Sequence, residues 1–310
     1  MSLRSLDLAA LELLVGVDDH GSLSAAARNL RMAQPNASRA VSRLERQLGV
    51  SLLCRTTAGS TLTPQGTMIV HWARQIVSDA ENLLRVADGL QSTRAAELTV
   101  VASLTVAEHL MPRWLGAFRS ANPDVTIHLQ VHNSSEVFAR LQAGECDIGF
   151  VESPTVPKPL HNTTVARDEL VVVVSPDHRL ARRRKPVSAA ELAATPLLVR
   201  EPGSGTRTTL DVALSTFERA DPLLELGSSA AIRTAVESGL GPAVLSSLAV
   251  ADQITSGTLR LVTVDGLDLH RSLRAVWRPP RRLTGPAGDL VRLARRDGIV
   301  HNDAGQPRIS

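Results

Sequence analysis

Ser24-Ala-Ala-Ala-Arg-Asn-Leu-Arg-Met-Ala-Gln-Pro-Asn-Ala-Ser-Arg-Ala-Val-Ser-Arg-Leu-Glu-Arg-Gln-Leu48 reads as two short helices and a tight turn. Ser24 can cap the first helix, Ala25, Ala26 and Ala27 propagate it, and Leu30 closes its buried face. Three consecutive alanines also let another helix approach closely. The turn falls at Arg31 to Ala33, and Pro35 sits in the first turn of the second helix, where its missing N–H costs nothing. Ala37, Val41, Leu44 and Leu48 then recur at spacings of four, three and four, which makes one apolar face. The other face carries Gln34, Ser38, Arg39, Ser42, Arg43 and Arg46. Between Arg28 and Arg55 six arginines stand against one acid, Glu45. Such a face suits polyanionic duplex DNA, with Gln and Arg able to make paired hydrogen bonds to base edges. The competing reading is an amphipathic surface hairpin whose arginines are merely solvated.

The next segment weighs against that alternative. Gly49 to Thr63 is an alternating strand, a Gly-containing turn and a second strand, a wing beside the two helices. Residues 6 to 66 resemble the winged helix-turn-helix of LysR-type transcriptional regulators, and the resemblance continues over nearly the whole chain. It implies that Gln34, Pro35, Ser38 and Arg39 approach bases or the adjacent backbone, while Arg43, Arg55 and Thr56 neutralise or bond phosphates. Two positions depart from the family pattern. Ala33 stands where a Ser or Thr usually caps the second helix, a loss of roughly 1 kcal/mol, and Arg31 stands where Gly or another turn-tolerant residue is common.

At 310 residues with 43% hydrophobic composition, the chain can bury cores in two or three domains. Its net charge is only +3, so the basic excess is local, as expected of a discrete DNA module on a near-neutral body. Lys158 and Lys185 are the only lysines. The amino end shows no apolar run with a cleavage site, and no stretch reaches the ~18 apolar residues of a membrane span; a cytoplasmic protein with no membrane partner is expected. Cys54 and Cys146 fall in different predicted domains and read as small buried hydrophobes rather than a disulfide.

Leu6 to His20 reads as a scaffold helix with Leu8, Leu11 and Val15 facing inward. Thr63-Pro64 opens a helix that runs to residue 91, ~42 Å long. Ile69, Ala73, Ile76, Ala80, Leu83, Ala87 and Leu90 form a heptad stripe along it, which predicts a dimerisation helix. Packing against its own wing or effector domain is the alternative. The expected organisation is a DNA-binding domain at 1–63, a linker helix at 64–91 and an effector-binding domain at 92–310, with a polar hinge at 91–96.

Beyond the hinge, short apolar strands alternate with helices. Strands are predicted at 98–102, 125–131, 147–151, 170–175, 197–199, 223–226, 243–245 and 273–277, and helices at 106–120, 135–143, 206–218, 230–238 and 283–296. This is an α/β pattern with a mostly parallel sheet. The resemblance implies two lobes like those of type 2 periplasmic binding proteins, joined by crossing strands, with a small-molecule cleft between them. Lobe 1 would comprise about 96–164 and 269–300, and lobe 2 about 165–268.

Ligands of open α/β sheets bind beyond the carboxyl ends of strands, near helix N-termini. That rule selects Ser103 and Thr105, Asn133 and Ser134, Glu152, the Gly203-Ser204-Gly205-Thr206 run and Ser228. The loops are rich in hydroxyls and backbone donors, which favours a small polar or anionic effector. Ordinary helix capping is the alternative for each residue, and Glu152 leaves the charge of the ligand open. The Arg200 to Arg207 run, with residues 131–134 and 151–154, resembles regulators of carbon fixation or sulfur metabolism.

No phosphate loop, Gly-x-Ser-x-Gly elbow or Cys-x-x-Cys pair occurs. His128 and His132, four apart on a predicted strand, would be ~13 Å apart, too far to share a metal. No catalytic residue, metal or cofactor is therefore expected. The run from Arg182 to Lys185 beside Pro186 reads as a solvated surface turn. The expected function is a ligand-responsive transcription regulator that binds a dyad-like operator in double-stranded DNA as a homodimer or homotetramer. The alternative is a cytoplasmic small-molecule-binding protein or enzyme on the same two-lobed fold.

Overall fold

The computed structural model describes the backbone of residues 6–56, 59–91 and 97–304, and all of their side chains except 55, 56, 59, 82, 85–91 and 299–304. Of the predicted hinge at 91–96, Gln91 is still helical and residues 92–96 lie outside these residues. The chain divides into two compact units, 1–94 and 95–310.

In the first unit, helix α1 (Leu8–His20) starts at Asp7, whose carboxylate accepts from the Ala9 N–H at 3.1 Å. Leu8, expected to face inward, is exposed at this first turn, whereas Leu11, Leu14 and Val17 are buried. Helix α2 (Leu23–Asn29) is capped by Ser22, not Ser24: Ser22 is extended and its hydroxyl accepts from the Ala25 N–H. Ser24 instead accepts from the Gln34 side-chain amide at 3.0 Å and so links the two helices of the motif. The alanines do permit close approach, because a Cβ on Gly16 of α1 would lie 2.9 Å from the Ala26 Cβ. Arg31 makes the turn with φ +52°, a left-handed conformation that costs a non-glycine residue about 1 kcal/mol.

Helix α3 (Gln34–Leu48) follows extended Ala33, which gives it no side-chain cap, and buries Ala37, Val41 and Leu44. Strands β1 (Leu53–Thr56) and β2 (Gly59–Leu62) pair antiparallel with Leu53 opposite Leu62 and Thr56 opposite Gly59. Glu45 of α3 accepts from the Leu52 and Leu53 N–H groups at 2.8 and 3.1 Å. Two charge-assisted bonds thus fix the wing against α3.

Helix α4 (Pro64–Gln91) is capped by Thr63, whose hydroxyl accepts from the Gly66 N–H at 2.9 Å. Its first turns belong to the core of the unit: Val70 and Ala73 are buried in one cluster with Leu11, Leu14, Leu44 and Leu52. Arg74 bridges to Asp18 and Asp19 at 2.8 and 2.6 Å, and its guanidinium holds Asp19 below the usual carboxylate range. The heptad stripe is therefore divided. Ala73 is buried and Ile69 half-buried within the unit, while Ile76 and Leu83 are exposed. Met68, Trp72 and Leu84, outside the predicted stripe, are exposed as well. The free apolar face is rotated from the predicted one because α1 occupies the face through Val70 and Ala73. The side chains of Ala87 and Leu90 lie outside the described ones.

The second unit contains β3 (Glu97–Ala102), α5 (Leu104–His109), α6 (Met111–Ala121), β4 (Thr126–Val131), α7 (Ser134–Ala143) and β5 (Ile148–Val151). The long β6 (His161–Val174) follows, then β7 (Val187–Ser188), α8 (Ala189–Ala193), β8 (Leu198–Arg200), α9 (Gly205–Ala213), β9 (Leu224–Leu226) and α10 (Ser229–Glu237). The remainder is β10 (Ala243–Ser246), α11 (Ser247–Ser256), β11 (Arg260–Val262), β12 (Val264–Asp265), β13 (His270–Trp277) and α12 (Gly285–Ala304). The predicted helix at 106–120 is two helices, because Pro112 in the first turn of α6 supplies no N–H. Helices α8 and α11 and strands β7, β11 and β12 were not predicted.

Strands run in the order β4-β3-β5-β13-β6-β10-β8-β9, with β11 also on β6. The parallel trio β4-β3-β5 builds one lobe and the parallel trio β10-β8-β9 the other. β6 is shared. Its residues 161–169 pair antiparallel with β13, and 170–174 pair with β10 and β11. The two lobes are thus joined by the crossing strands β6 and β13, and their sheet is mixed rather than mostly parallel at the crossing. Each lobe has a core on both sheet faces. Val100, Trp114, Phe118 and Leu290 pack on one side of the first lobe, and Val101, Val137 and Leu141 on the other. Val172, Leu192 and Leu210 face Val173, Ile232 and Val236 across the second.

Cys146 is buried as expected, but Cys54 is exposed, since on the two-stranded wing the residue next to inward Leu53 points to solvent. Burial pushes the Cys146 thiol up to about 12. Alkylation of native protein at pH 8 is therefore expected to label Cys54 and leave Cys146 unmodified. A second adduct at Cys146 in intact-mass spectra without unfolding would contradict this environment.

Candidate DNA-binding face and effector cleft

On α3 the predicted contact residues share the face opposite the buried stripe. Gln34, Pro35, Arg39 and Arg43 are exposed and Ser38 is half-buried. Arg39 donates to the Asn36 side-chain carbonyl, so its guanidinium is held one turn from the helix start. Ser38, Arg39, Ser42, Arg43 and Arg46 line a shallow groove of about 730 Å³ along this face. Glu45 lines the same groove, but its carboxylate accepts from the wing amides, and among the described residues no ion pair joins it to these arginines. Arg55 and Thr56 lie on β1, but their side chains are outside the described ones. A rigid helix with a basic, hydroxyl-rich outer face and an attached two-stranded wing has the form that enters a major groove.

In the second unit, Ser103, Thr105, Ser134, Glu152, Ser204 and Thr206 are all buried. Three of them, Thr105, Glu152 and Thr206, meet an arginine outside the predicted set, and Ser134 accepts from the Glu152 N–H. Arg271 of β13 lies directly opposite Asp168 of β6 in the strand register, where the lobes cross. Its side chain is fully buried, and its guanidinium meets Asp168 at 2.7 and 2.8 Å. It also donates to the Thr206 hydroxyl at 3.1 Å, the Thr105 hydroxyl at 3.4 Å and Glu152 at 3.5 Å. Asp168 accepts further from Ser246 and Ser247. Burying three charges is tolerable only because they are paired and hydrogen-bonded.

Glu152 is the loosely held member. Its carboxylate has only long contacts, 3.4 Å from the Thr206 hydroxyl and 3.5 Å from Arg271. The lobes touch here. A Cβ on Gly205 would lie 2.4 Å from the Glu152 side chain, and the Ser135 N–H donates to the Gly203 carbonyl at 3.2 Å. Ser103 and Ser204 precede α5 and α9, yet neither caps its helix, and both hydroxyls are buried with no hydrogen-bond partner among the described residues.

Two selected residues serve local structure. Asn133 forms a capping box with Glu136 at the start of α7, and Ser228 caps α10 through the Ala231 N–H. Arg200 opens the loop run but lies outside the predicted site residues. It is buried, pairs bidentately with Glu201 and donates to Ser229.

Residues 8–67 match the Bacterial regulatory helix-turn-helix protein, lysR family, and residues 91–298 match the LysR substrate binding domain. The chain belongs to the LysR family. It is a helix-turn-helix transcriptional regulator with a substrate-binding domain. The LysR-family chain is 42% identical, over 97% of its length and 97% of the relative's, to an uncharacterized HTH-type transcriptional regulator of Mycobacterium tuberculosis. It is 29% identical, over 97% of its length and 89% of the relative's, to a probable RuBisCO transcriptional regulator of Synechocystis. Among solved structures it is similar to full-length OxyR of Pseudomonas aeruginosa, with TM-score 0.64, 22% identity and coverage of 96% and 95% of the two chains. It is also similar to the Synechocystis CcmR regulatory domain in complex with 2-PG, with TM-score 0.58 and 24% identity, over 66% of this chain and 97% of that one.

Proposed function

We propose that the cleft around Arg271 is the effector site of this regulator, and that its ligand is a small polar molecule bearing an anionic group. The observation that carries this reading is the pair of buried, unpartnered hydroxyls, Ser103 and Ser204. Each leaves a polar group unsatisfied at a cost of about 1–3 kcal/mol, which a ligand accepting their protons would relieve. Thr105, Ser134 and Thr206 supply further polar contacts, and Asn133, Gly203 and Ser228 frame the mouth. Arg271 is already matched by Asp168 and Glu152, so an entering anion competes with the loosely held Glu152 for the guanidinium. That exchange couples ligand to lobe closure, since Glu152 contacts Thr206 of the opposite lobe. Ligand shifts the equilibrium only through a difference in affinity between the two arrangements.

The protein acts in the cytoplasm on duplex DNA, as a homodimer or homotetramer paired through the exposed apolar face of α4; two heads about one DNA turn apart read a split, dyad-related site. The solved structure with bound 2-PG makes phosphorylated acids reasonable first candidates for the effector. Among the described residues no helix is long and apolar enough to cross a membrane.

Ser204→Ala tests the cleft. Because Ser204 makes no cap bond, the variant is expected to match or exceed the parent's thermal stability without ligand. Its response should fall about tenfold when phosphorylated and carboxylic acids are titrated against a DNA footprint. An unchanged response, or a marked loss of ligand-free stability, would remove Ser204 from the site.

A further inference from the structure

The first lobe carries a second concavity that shares no residue with the cleft. It lies between the start of β6, the end of β13 and the exposed side of α12, with a volume of about 650 Å³. Arg281, Arg282, Arg292 and Arg295 line it, and among the described residues no Asp or Glu does. Arg292 pairs with Asp289 outside the lining. Arg281, Arg282 and Arg295 make no hydrogen bond or ion pair among the described residues.

Other surface arginines of the chain do pair with carboxylates, among them Arg74 with Asp18 and Asp19, Arg140 with Glu145, Arg183 with Glu191 and Arg207 with Asp211. Like charges gathered in one depression repel each other, and the repulsion is stronger where apolar walls lower the effective dielectric. Here those walls are Trp277, Leu160 and Val291, each less than a tenth exposed, with half-buried Leu283. The indole N–H of Trp277 is already spent on the Pro280 carbonyl at 3.1 Å, so the ring offers an apolar surface.

We propose that this groove binds a small organic polyanion, a molecule bearing two or more phosphate or carboxylate groups and a planar or apolar portion. Guanidiniums recognise such groups by forked hydrogen bonds, and the apolar floor accepts the remainder. The volume falls within the range of small-molecule pockets, about 300–1,000 Å³. The site therefore makes the regulator responsive to a second anion, independently of whatever occupies the cleft.

The test uses the full chain, titrated calorimetrically at low salt with ATP, inorganic pyrophosphate and citrate, and with adenosine as an uncharged control. Expected is saturable binding of the polyanions, tightest for ATP if phosphate is the recognised group and for citrate if carboxylate is. Affinity should fall about tenfold in the Arg282→Gln/Arg295→Gln variant and persist in Arg39→Gln/Arg43→Gln. Both groove side chains are exposed, and an unchanged melting temperature checks that the variant folds. The proposal fails if none of the three polyanions binds saturably, if adenosine binds as well as ATP, or if affinity drops in the head variant and not in the groove variant.

Discussion

Arg271→Met is expected to destabilise the second unit by about 3–5 kcal/mol, the cost of breaking a buried ion pair and leaving a carboxylate without its counter-charge. Asp168 sits on the opposite strand with its side chain entirely buried, so water cannot replace the guanidinium. Denaturant unfolding of residues 95–310 would report the loss directly. Adding Asp168→Leu should recover part of it, because one of the two stranded carboxylates is then gone while buried Glu152 remains. Recovery without restored ligand response would separate the structural role of the pair from its role in the cleft. A single-variant loss below about 1 kcal/mol would show that the pair is hydrated and that the lobes are not locked through it.

Arg39→Ala is expected to weaken specific DNA binding by about 1–3 kcal/mol, a factor of roughly 5 to 150, without altering the fold. Its side chain is exposed and, among the described residues, hydrogen-bonds to Asn36 alone, so truncation removes no core packing. Competition of operator against random duplex, followed at several salt concentrations, distinguishes two roles. A base contact narrows the preference for operator, whereas a phosphate contact weakens all sequences alike and lowers the salt slope by about one. Unchanged affinity and slope would remove Arg39 from the interface.

The head was legible because its signals are local. The apolar repeat of α3, Pro35, Thr63-Pro64 and the turn at Arg31 each act within a few residues, and the structure places each element where they indicate. The cap of α2 was misread because Ser22 and Ser24 are chemically equivalent, and only backbone geometry decides between them. In the second unit, the polar first half of β6 gave no strand signal: His161 to Glu169 becomes a strand through its partner, β13. The loop residues that follow β3, β5 and β8 could be found from strand order alone. Arg271 and Asp168 could not, since a register between residues 103 positions apart brings them together. A hint was available in alternation, as Arg271 has the parity of inward Leu273 and Ala275.

β6 runs through both lobes as one uninterrupted strand, which exposes the fold to frameshift-like errors of register. Deleting Glu169 would keep the β13 pairing of residues 161–168 but turn Val172 and Val173 onto each other's sheet faces, exchanging the contents of two cores at once. The join is therefore intolerant of length change, and variation among such regulators is to be sought in side chains rather than in indels along this strand.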